Sequence, residues 1–162
     1  MAERIIKLIN NVADAVNTDA TVGDLLKAIF LPNYRVTTME IIAPGADLSE
    51  QISTVGKEAS GTGNMKFMMN SALTICTFDS ANIEILEEVG EENFFLFGLK
   101  ADEVEVMKKS YHPQAIIDDE DFTRVMQLLE GGHFNQFEDG IFKEVINAIK
   151  NPHDPWMTAA DF

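Results

Sequence analysis

The chain has 162 residues, which is enough for a domain with a core, and its 46% hydrophobic content favours a globular protein over a disordered one. It carries 27 acidic and 12 basic residues, so that its net charge of −15 would repel nucleic acid and anionic membranes, and we expect neither as a partner. The single cysteine, Cys76, cannot form an internal disulfide, and the sequence shows no long apolar run and no signal-peptide pattern. These features predict a cytoplasmic protein.

The first quarter of the chain contains two predicted helices and a predicted strand. Residues 3–16 place apolar side chains three and four apart, which predicts an amphipathic helix, and no capping residue precedes it, as expected of a chain cut from something longer. The apolar run Leu25–Leu31 is followed by a Pro-Asn pair and favours a buried strand, with a helix as the alternative. A short helix capped by Thr37 or Thr38 is expected before Pro44.

The rest of the chain alternates predicted strands and helices. The polar segment Asp47–Ser53 predicts a loop, whereas β-branched and aromatic residues predict strands at Ala72–Phe78 and Asn93–Gly98. A turn at Asp79–Asn82 and a short acidic helix at Glu84–Val89 separate these strands. Three later segments have helical spacing: Ala101–Tyr111, Glu120–Glu130 and Gly140–Lys150. This alternation predicts an α/β fold with a parallel sheet, whose ligands bind at the carboxyl ends of the strands.

A small polar loop lies between the predicted loop at Asp47–Ser53 and the predicted strand at Ala72–Phe78. It leads into an apolar segment that contains one lysine. Gly61 and Gly63 permit positive φ angles and a close approach of the backbone to a ligand. Ser60 and Thr62 can cap a following helix, so that free amide groups are directed at whatever binds there. A phosphate group suits such a loop.

Lys66 lies about one helical turn after the loop, and its neighbours in sequence are apolar. Such surroundings disfavour the ammonium form and make a free amine available for Schiff-base chemistry. The segment is not a Walker motif, because neither Ser nor Thr follows the lysine, and it lacks the third glycine of a dinucleotide fingerprint. From these residues alone two interpretations stay open: a phosphate-binding loop with a functional lysine, or a turn and a helix whose lysine extends to water.

The other polar residues do not predict a site. His112, His133 and His153 have no carboxylate or cysteine at a ligand spacing, so no metal site is expected. The acidic clusters are interpreted as solvated helix ends, and Cys76 as a small core residue within a strand.

Three segments of the chain resemble the glycogen and starch phosphorylases: Leu31–Val36, Ala46–Thr54 and Glu58–Met68. The last is similar to that family's pyridoxal-phosphate signature. The similarity continues from Leu73–Ile75 to Gly90–Phe94 and, more weakly, to the end of the chain. The resemblance implies an α-1,4-glucan phosphorylase, a glycosyltransferase in which inorganic phosphate cleaves the terminal α-1,4 link of glycogen or starch and releases glucose 1-phosphate.

The resemblance also implies a place within a larger enzyme. Phosphorylases of this family have two Rossmann-like domains of the GT-B type that face a cleft, and the full-length enzyme is expected to form a homodimer. Residues 1–162 would be an incomplete part of the C-terminal cofactor-binding domain, with a doubly wound parallel sheet, while the N-terminal domain lies outside this chain. The isolated chain is then expected to be inactive, because the basic residues that neutralise the paired phosphates lie outside it as well.

Residue by residue, the resemblance implies a cofactor site and a sugar site. Lys66 matches the lysine that holds pyridoxal 5′-phosphate as a Schiff base, and in this family the phosphate of the cofactor is thought to relay a proton to the substrate phosphate. The other positions that match the cofactor site are Thr62, Gly63, Tyr34, Arg35 and Glu40. The positions that match contacts to the glucosyl hydroxyls are Glu58, Ser60 and Gly61.

The chain departs from the family at Ser71, Cys76 and Ser80, where the family generally has glycine. A side chain at these positions could clash with a close backbone approach or alter a turn. Two other classes of protein remain as alternatives to the enzyme. One is a non-catalytic α/β module that binds pyridoxal phosphate or another phosphate ligand, and the other is a piece that serves only as an interaction surface.

Overall fold

The computed structural model describes residues 1–58, 60–157 and 159–160. The chain forms two units, which are described separately. The first unit comprises Met1–Asn33 and His112–Asp154, and the second comprises Tyr34–Tyr111 and the segment from Pro155 onward.

Eight helices and three strands are found in the described part of the chain. In order they are α1 (Ala2–Thr18), α2 (Val36–Ile42), β1 (Leu48–Gln51), α3 (Thr62–Met69), β2 (Leu73–Thr77), α4 (Ala81–Val89), β3 (Phe94–Phe97), α5 (Ala101–Met107), α6 (Pro113–Ile117), α7 (Glu120–Glu130) and α8 (Lys143–Ile149). Short 3-10 helices extend α2 through Ala43–Gly45 and precede β3 at Glu91–Asn93.

The first unit is helical and contains α1, α6, α7 and α8. Its buried apolar side chains come from α1, α7 and the region of α8: Ala13, Phe122, Met126, Leu129, Phe142 and Val145. The buried amide of Asn11 on α1 donates to the carbonyl oxygen of Phe134 at 2.6 Å, which joins α1 to the loop after α7. The prediction of an amphipathic first helix is confirmed, and the helix predicted at Glu120–Glu130 has the observed bounds.

The second unit is built on a three-stranded parallel sheet in the order β1-β2-β3. Helix α3 lies between β1 and β2 in the chain, and α4 lies between β2 and β3, so two successive β-α-β connections form the sheet. The predicted α/β class with a parallel sheet is therefore confirmed. The strands predicted around β2 and β3 are also confirmed, as is a short helix before Pro44. The predicted cap of that helix is wrong, because Thr37 and Thr38 lie inside α2 and its N-cap is Arg35.

Each face of this sheet carries both buried and exposed side chains. On the face of the fully buried Cys76, Leu96 is 41% exposed. On the other face Thr77 is buried, whereas three apolar side chains are about half exposed: Leu48 at 52%, Leu73 at 47% and Phe95 at 54%. Parallel sheets are ordinarily covered on both faces, so apolar side chains left this exposed are unusual.

Two predictions of secondary structure are wrong. The run Leu25–Leu31 forms neither a strand nor a helix, and Leu25 is 92% exposed and Ile29 is 75% exposed. An apolar run forms a buried strand only where a sheet accepts it, and the sheet of this structure lies in the other unit. The polar segment Asp47–Ser53, predicted as a loop, contains β1, because pairing with β2 satisfies its backbone groups whatever its composition.

Over the residues that the structure describes, no helix is both long and apolar enough to span a membrane.

Candidate functional site

Lys66 lies in the middle of α3, which begins directly after Gly61. Gly61 has φ +67°, a left-handed conformation that glycine adopts at little cost and that turns the loop into the helix. The prediction of a positive φ is therefore confirmed at Gly61 and wrong at Gly63, which lies within the helix. Among the described residues, neither Ser60 nor Thr62 caps α3 with its side chain, so the predicted capping is wrong.

A cleft of about 470 Å³ brings Lys66 together with three other residues predicted for the cofactor site. Tyr34 and Arg35 directly precede α2 and Glu40 lies within it, so these three residues are distant from Lys66 in sequence. The full lining is Tyr34, Arg35, Val36, Met39, Glu40, Ala43, Pro44, Lys66 and Asn70. A cleft of this size, with an apolar wall and a few polar groups, is typical of small-molecule sites.

The α2 side of the cleft is held by local contacts. Arg35 is in an extended conformation just before α2, and its carbonyl oxygen accepts the first helical hydrogen bond, from the Met39 amide at 2.9 Å. The Tyr34 hydroxyl donates to the sulfur of buried Met39 at 2.7 Å, which orients the phenol ring toward the start of the helix. The side chains of Tyr34 and Arg35 are thereby presented at the solvent-exposed mouth of the cleft.

The charges in the cleft suit an anionic ligand with a carbonyl group. Among the residues that the structure describes, neither Arg35 nor Lys66 forms an ion pair with an acidic side chain. Their positive charges are available for a phosphate, and the lysine supplies a primary amine. Tyr34 and Glu40 add a hydroxyl and a carboxylate. This set of polar groups fits pyridoxal 5′-phosphate.

The apolar enclosure expected around the lysine does not form. Lys66 is exposed, and its neighbours Met65 and Met69 are 37% and 86% exposed. Asn64, in contrast, is 1% exposed, so this polar residue faces the interior whereas Met65 and Met69 face outward. The sequence pattern was misleading because burial in α3 is decided by the sheet and α4, against which the helix packs, rather than by its own composition.

The residues predicted for the sugar site lie together in the loop before α3. The Glu58 carboxylate accepts hydrogen bonds from the Ser60 amide at 3.4 Å and the Gly61 amide at 3.2 Å, and from the Ser53 hydroxyl at 3.2 Å. This carboxylate therefore shapes its own loop. Thr62 and Gly63 follow directly as the first two residues of α3.

The structure does not place these loop residues in the cleft that contains Lys66. Ser60 instead lines a second, more open depression of about 540 Å³ with residues at the start of α4, among them Ser80 and Glu84. Thr62 and Gly63 line neither cavity. The predicted cofactor residues are thus divided: Lys66, Tyr34, Arg35 and Glu40 meet in one cleft, and the two helix-start residues lie one turn earlier.

Sequence reasoning missed three polar residues that support the site. Asp79 accepts a hydrogen bond from the Glu58 amide at 3.2 Å. Asn82, which is 5% exposed, accepts one from the side chain of Asn64. The sequence indicated only a turn at these positions. An asparagine inside a predicted helix, such as Asn64, was the available signal, because asparagine is unfavourable there unless its amide has a partner.

Cys76 lies in the centre of β2 and is fully buried, which confirms its interpretation as a core residue. Burial raises the pKa of its thiol from the usual 9.0 to about 12. We expect the folded chain to be inert toward a thiol reagent at pH 8, and the chain in denaturant to react with one equivalent, as measured by absorbance.

The same pKa shift predicts a dependence of stability on pH. Below pH 9 the Cys76 thiol is protonated in both states and has no effect; between about pH 9 and 12 only the unfolded chain loses the proton. The free energy of unfolding should therefore fall across that window, by up to about 1.4 kcal/mol per pH unit from this group. A Cys76→Ala variant, which lacks the group, is the control, and an equal fall in that variant would contradict the assignment.

Comparison of the sequence with known proteins identifies the family of the chain. The carbohydrate phosphorylase family model matches residues 1–162. The chain is 53% identical to the glycogen phosphorylase of Chlamydia pneumoniae over 162 residues, which cover 99% of the chain and 20% of that protein. It is 53% identical to the glycogen phosphorylase of Synechocystis sp. over 163 residues, covering 99% of the chain and 19% of that protein. It is also 50% identical to the muscle form of glycogen phosphorylase of Bos taurus over 164 residues, covering all of the chain and 19% of that protein.

The chain belongs to the carbohydrate phosphorylase family. It spans about one-fifth of the length of the curated relatives that it matches.

Proposed function

We propose that this chain holds the pyridoxal 5′-phosphate site of an α-1,4-glucan phosphorylase and is part of its C-terminal cofactor-binding domain. The observation that carries the proposal is the cleft in which Lys66 meets Tyr34, Arg35 and Glu40. Four residues separated by up to 32 positions meet in one cavity of suitable size, in a chain of the phosphorylase family.

In this proposal Lys66 Nζ forms the covalent attachment to the cofactor. Within the cleft, Arg35 is the group proposed to offset negative charge on the phosphate. The amides of Thr62 and Gly63, at the start of α3 and outside the cleft lining, are proposed as further phosphate contacts because these positions match the cofactor site of the family. When bound, pyridoxal phosphate supplies a phosphate group that exchanges a proton with the inorganic phosphate substrate. Tyr34 and the carboxylate of Glu40 orient the ring by hydrogen bonds at the α2 side of the cleft.

The loop before α3 is proposed to bind the terminal glucosyl unit. Glu58, Ser60 and Gly61 offer a carboxylate, a hydroxyl and backbone groups, which are the kinds of donors and acceptors that recognise sugar hydroxyls. The Glu58 carboxylate is already fixed by the amides of its own loop. A prearranged acceptor loses little conformational entropy when a hydroxyl binds to it.

The whole enzyme of this proposal has a second, N-terminal domain of the GT-B pair, forms a homodimer in the cytoplasm, and acts on α-1,4-glucan and inorganic phosphate. The half-exposed apolar side chains of Leu48, Leu73 and Phe95 support such an arrangement, since further protein would cover them. The cations that offset two neighbouring phosphates would come from outside these 162 residues, whose net charge is −15. The chain by itself is therefore expected to form no glucose 1-phosphate.

The proposal is tested by incubating the chain with pyridoxal phosphate, reducing with borohydride and mapping the modified peptide. Attachment at Lys66 supports it, and attachment confined to other lysines contradicts it. A phosphorolysis assay on a longer protein that contains this sequence then separates the enzyme from a non-catalytic binding module. Glucose 1-phosphate release identifies the enzyme, and cofactor binding without turnover identifies the module.

A further inference from the structure

A buried pair of asparagines connects α3 to the start of α4. The side-chain amide of Asn64 donates to the side-chain oxygen of Asn82, and the amide of Asn82 donates to the carbonyl oxygen of Thr77 at 3.1 Å. The Asn64 oxygen accepts from the Met65 amide at 2.7 Å. Asn64 and Asn82 are 1% and 5% exposed. Their hydrogen bonds to each other and to the backbone therefore replace hydrogen bonds to water.

The segment at residues 77–82 also contacts the loop before α3, which contains the residues proposed for the sugar site. The Thr77 hydroxyl donates to the carbonyl oxygen of Ser53 at 2.6 Å, and Asp79 accepts from the Glu58 amide. This segment therefore contacts the loop near its beginning, at Ser53, and in its middle, at Glu58. Through Asn82 it also contacts Asn64, in the first turn of the helix that follows the loop. Because β1 and β2 are parallel neighbours, their carboxyl ends lie side by side, which brings the segments that follow the two strands next to each other.

The asparagine pair acts on the face of α3 opposite the lysine. Asn64 and Lys66 are two positions apart, about 200° around a helix, so one points to the interior when the other points to solvent. Their burial agrees with this, since Asn64 is buried and Lys66 is exposed. A rotation of α3 about its axis would carry Lys66 away from Tyr34 and Arg35, and the hydrogen bond to Asn82 opposes that rotation.

We infer that Asn82 is a positioning residue for the Lys66 site: by holding Asn64 it fixes the rotation of α3 that presents the lysine to the cleft. The inference rests on the proposed function. Neither asparagine lines the cleft, so the effect on the cofactor is indirect. If Asn82 has only a structural role, the rate of cofactor attachment at Lys66 should fall in each variant in proportion to its loss of stability. If Asn82 positions α3, the rate should fall only in variants that lose the hydrogen bond between Asn64 and Asn82.

The test compares Asn82→Ala with Asn82→Asp. The aspartate keeps an oxygen that can accept from Asn64, but it buries a carboxyl group, which in its ionised form cannot donate to Thr77, so its unit should be no more stable than that of the alanine variant. We expect Asn82→Ala to lower the rate of borohydride-trapped attachment at Lys66 about tenfold and Asn82→Asp to stay within about threefold of the unsubstituted chain. A variant with both asparagines replaced by alanine should resemble Asn82→Ala alone.

Hydrogen exchange of the α3 amides provides a readout that needs no cofactor. We expect about tenfold faster exchange at residues 64–69 in Asn82→Ala. The control for lost stability is Val104→Ala, in the apolar cluster with Val55 and Met157, which should leave both attachment and α3 exchange unchanged. Asn93→Ala removes an exposed asparagine and controls for the change in residue type.

The outcomes separate this inference from the proposed function. Equal attachment and exchange in Asn82→Ala and the unsubstituted chain would overturn the inference, as would an equal loss in Val104→Ala. Absence of Lys66 attachment in the unsubstituted chain would refute the proposed function, and the exchange comparison would then decide the inference alone. If Asn82→Ala fails to fold, Asn64→Ala breaks the same hydrogen bond from the other side and is read in the same way.

Discussion

The substitution Lys66→Arg is expected to abolish covalent attachment of pyridoxal phosphate at this position. Arginine keeps the positive charge and nearly the length of lysine, but its guanidinium has no nucleophilic amine. Non-covalent binding of phosphate by Arg35 is expected to remain, since the rest of the cleft is unchanged. The measurement is the absorbance of the bound cofactor, followed by borohydride reduction and peptide mapping.

Lys57→Arg is the matched control for this prediction. Lys57 lies in the same unit, with its amine 4.9 Å from the centre of the Trp156 ring, and it does not line the cleft. Its replacement should leave attachment unchanged. In a longer protein that contains this sequence, Lys66→Arg should remove phosphorolysis, whereas Lys57→Arg should not. The prediction is contradicted if Lys66→Arg still attaches pyridoxal phosphate at another lysine with unchanged stoichiometry and absorbance. That result would show that the cleft does not determine which lysine is modified.

The substitution Ser80→Gly is expected to raise the free energy of unfolding of the second unit by about 2 kcal/mol. Ser80 has φ +53° and ψ −141°, a backbone conformation that is largely restricted to glycine. Its hydroxyl oxygen is also buried and has no hydrogen-bond partner in the described part of the chain. Glycine removes both the backbone strain and the unsatisfied hydroxyl, and its greater freedom in the unfolded chain offsets only part of the gain.

The three positions where the phosphorylases generally have glycine form a matched series. Ser71 has φ +72° directly after α3, and the hydrogen bonds from the Ser71 and Ala72 amides to Met68 and Phe67 form a Schellman motif, in which glycine is favoured. We expect Ser71→Gly to stabilise by about 1 kcal/mol. Cys76 lies in a strand and is fully buried, so Cys76→Gly should destabilise by about 1–3 kcal/mol.

Fluorescence of Trp156 reports on this series, because it is the single tryptophan of the chain and belongs to the second unit. The midpoint of thermal unfolding should rise by about 5–10 °C in Ser80→Gly and fall in Cys76→Gly. Destabilisation by Ser80→Gly would show that the serine side chain contributes more than its strained backbone costs.

Local patterns predicted the helices and two of the strands because those signals are contained in short windows of sequence. The apolar spacing of residues 3–16 and 120–130 is a property of one helix face, and the β-branched run before Phe78 suits a central strand wherever the sheet forms. The strand at Leu48–Gln51 could not be predicted in this way. Three of its four residues are polar, and its conformation depends on pairing with Leu73 and its neighbours, more than twenty positions away.

By itself the sequence determined the family, the glycine-rich loop, the lysine that follows it and the set of residues proposed to surround the cofactor. These are encoded as residue identities at fixed spacings and need no coordinates. Tertiary structure alone decided that Tyr34, Arg35 and Glu40 share one cleft with Lys66, while Thr62 and Gly63 lie a turn away from it.

The tertiary structure also decided which side of α3 is buried. The apolar neighbours of Lys66 suggested an enclosed amine, but the buried residue is Asn64, because its amide finds a partner in Asn82 on an adjacent helix. A polar side chain can be buried at small cost only when a second polar side chain is brought within hydrogen-bonding distance. That proximity is a property of packing between elements distant in sequence, so no local pattern could contain it.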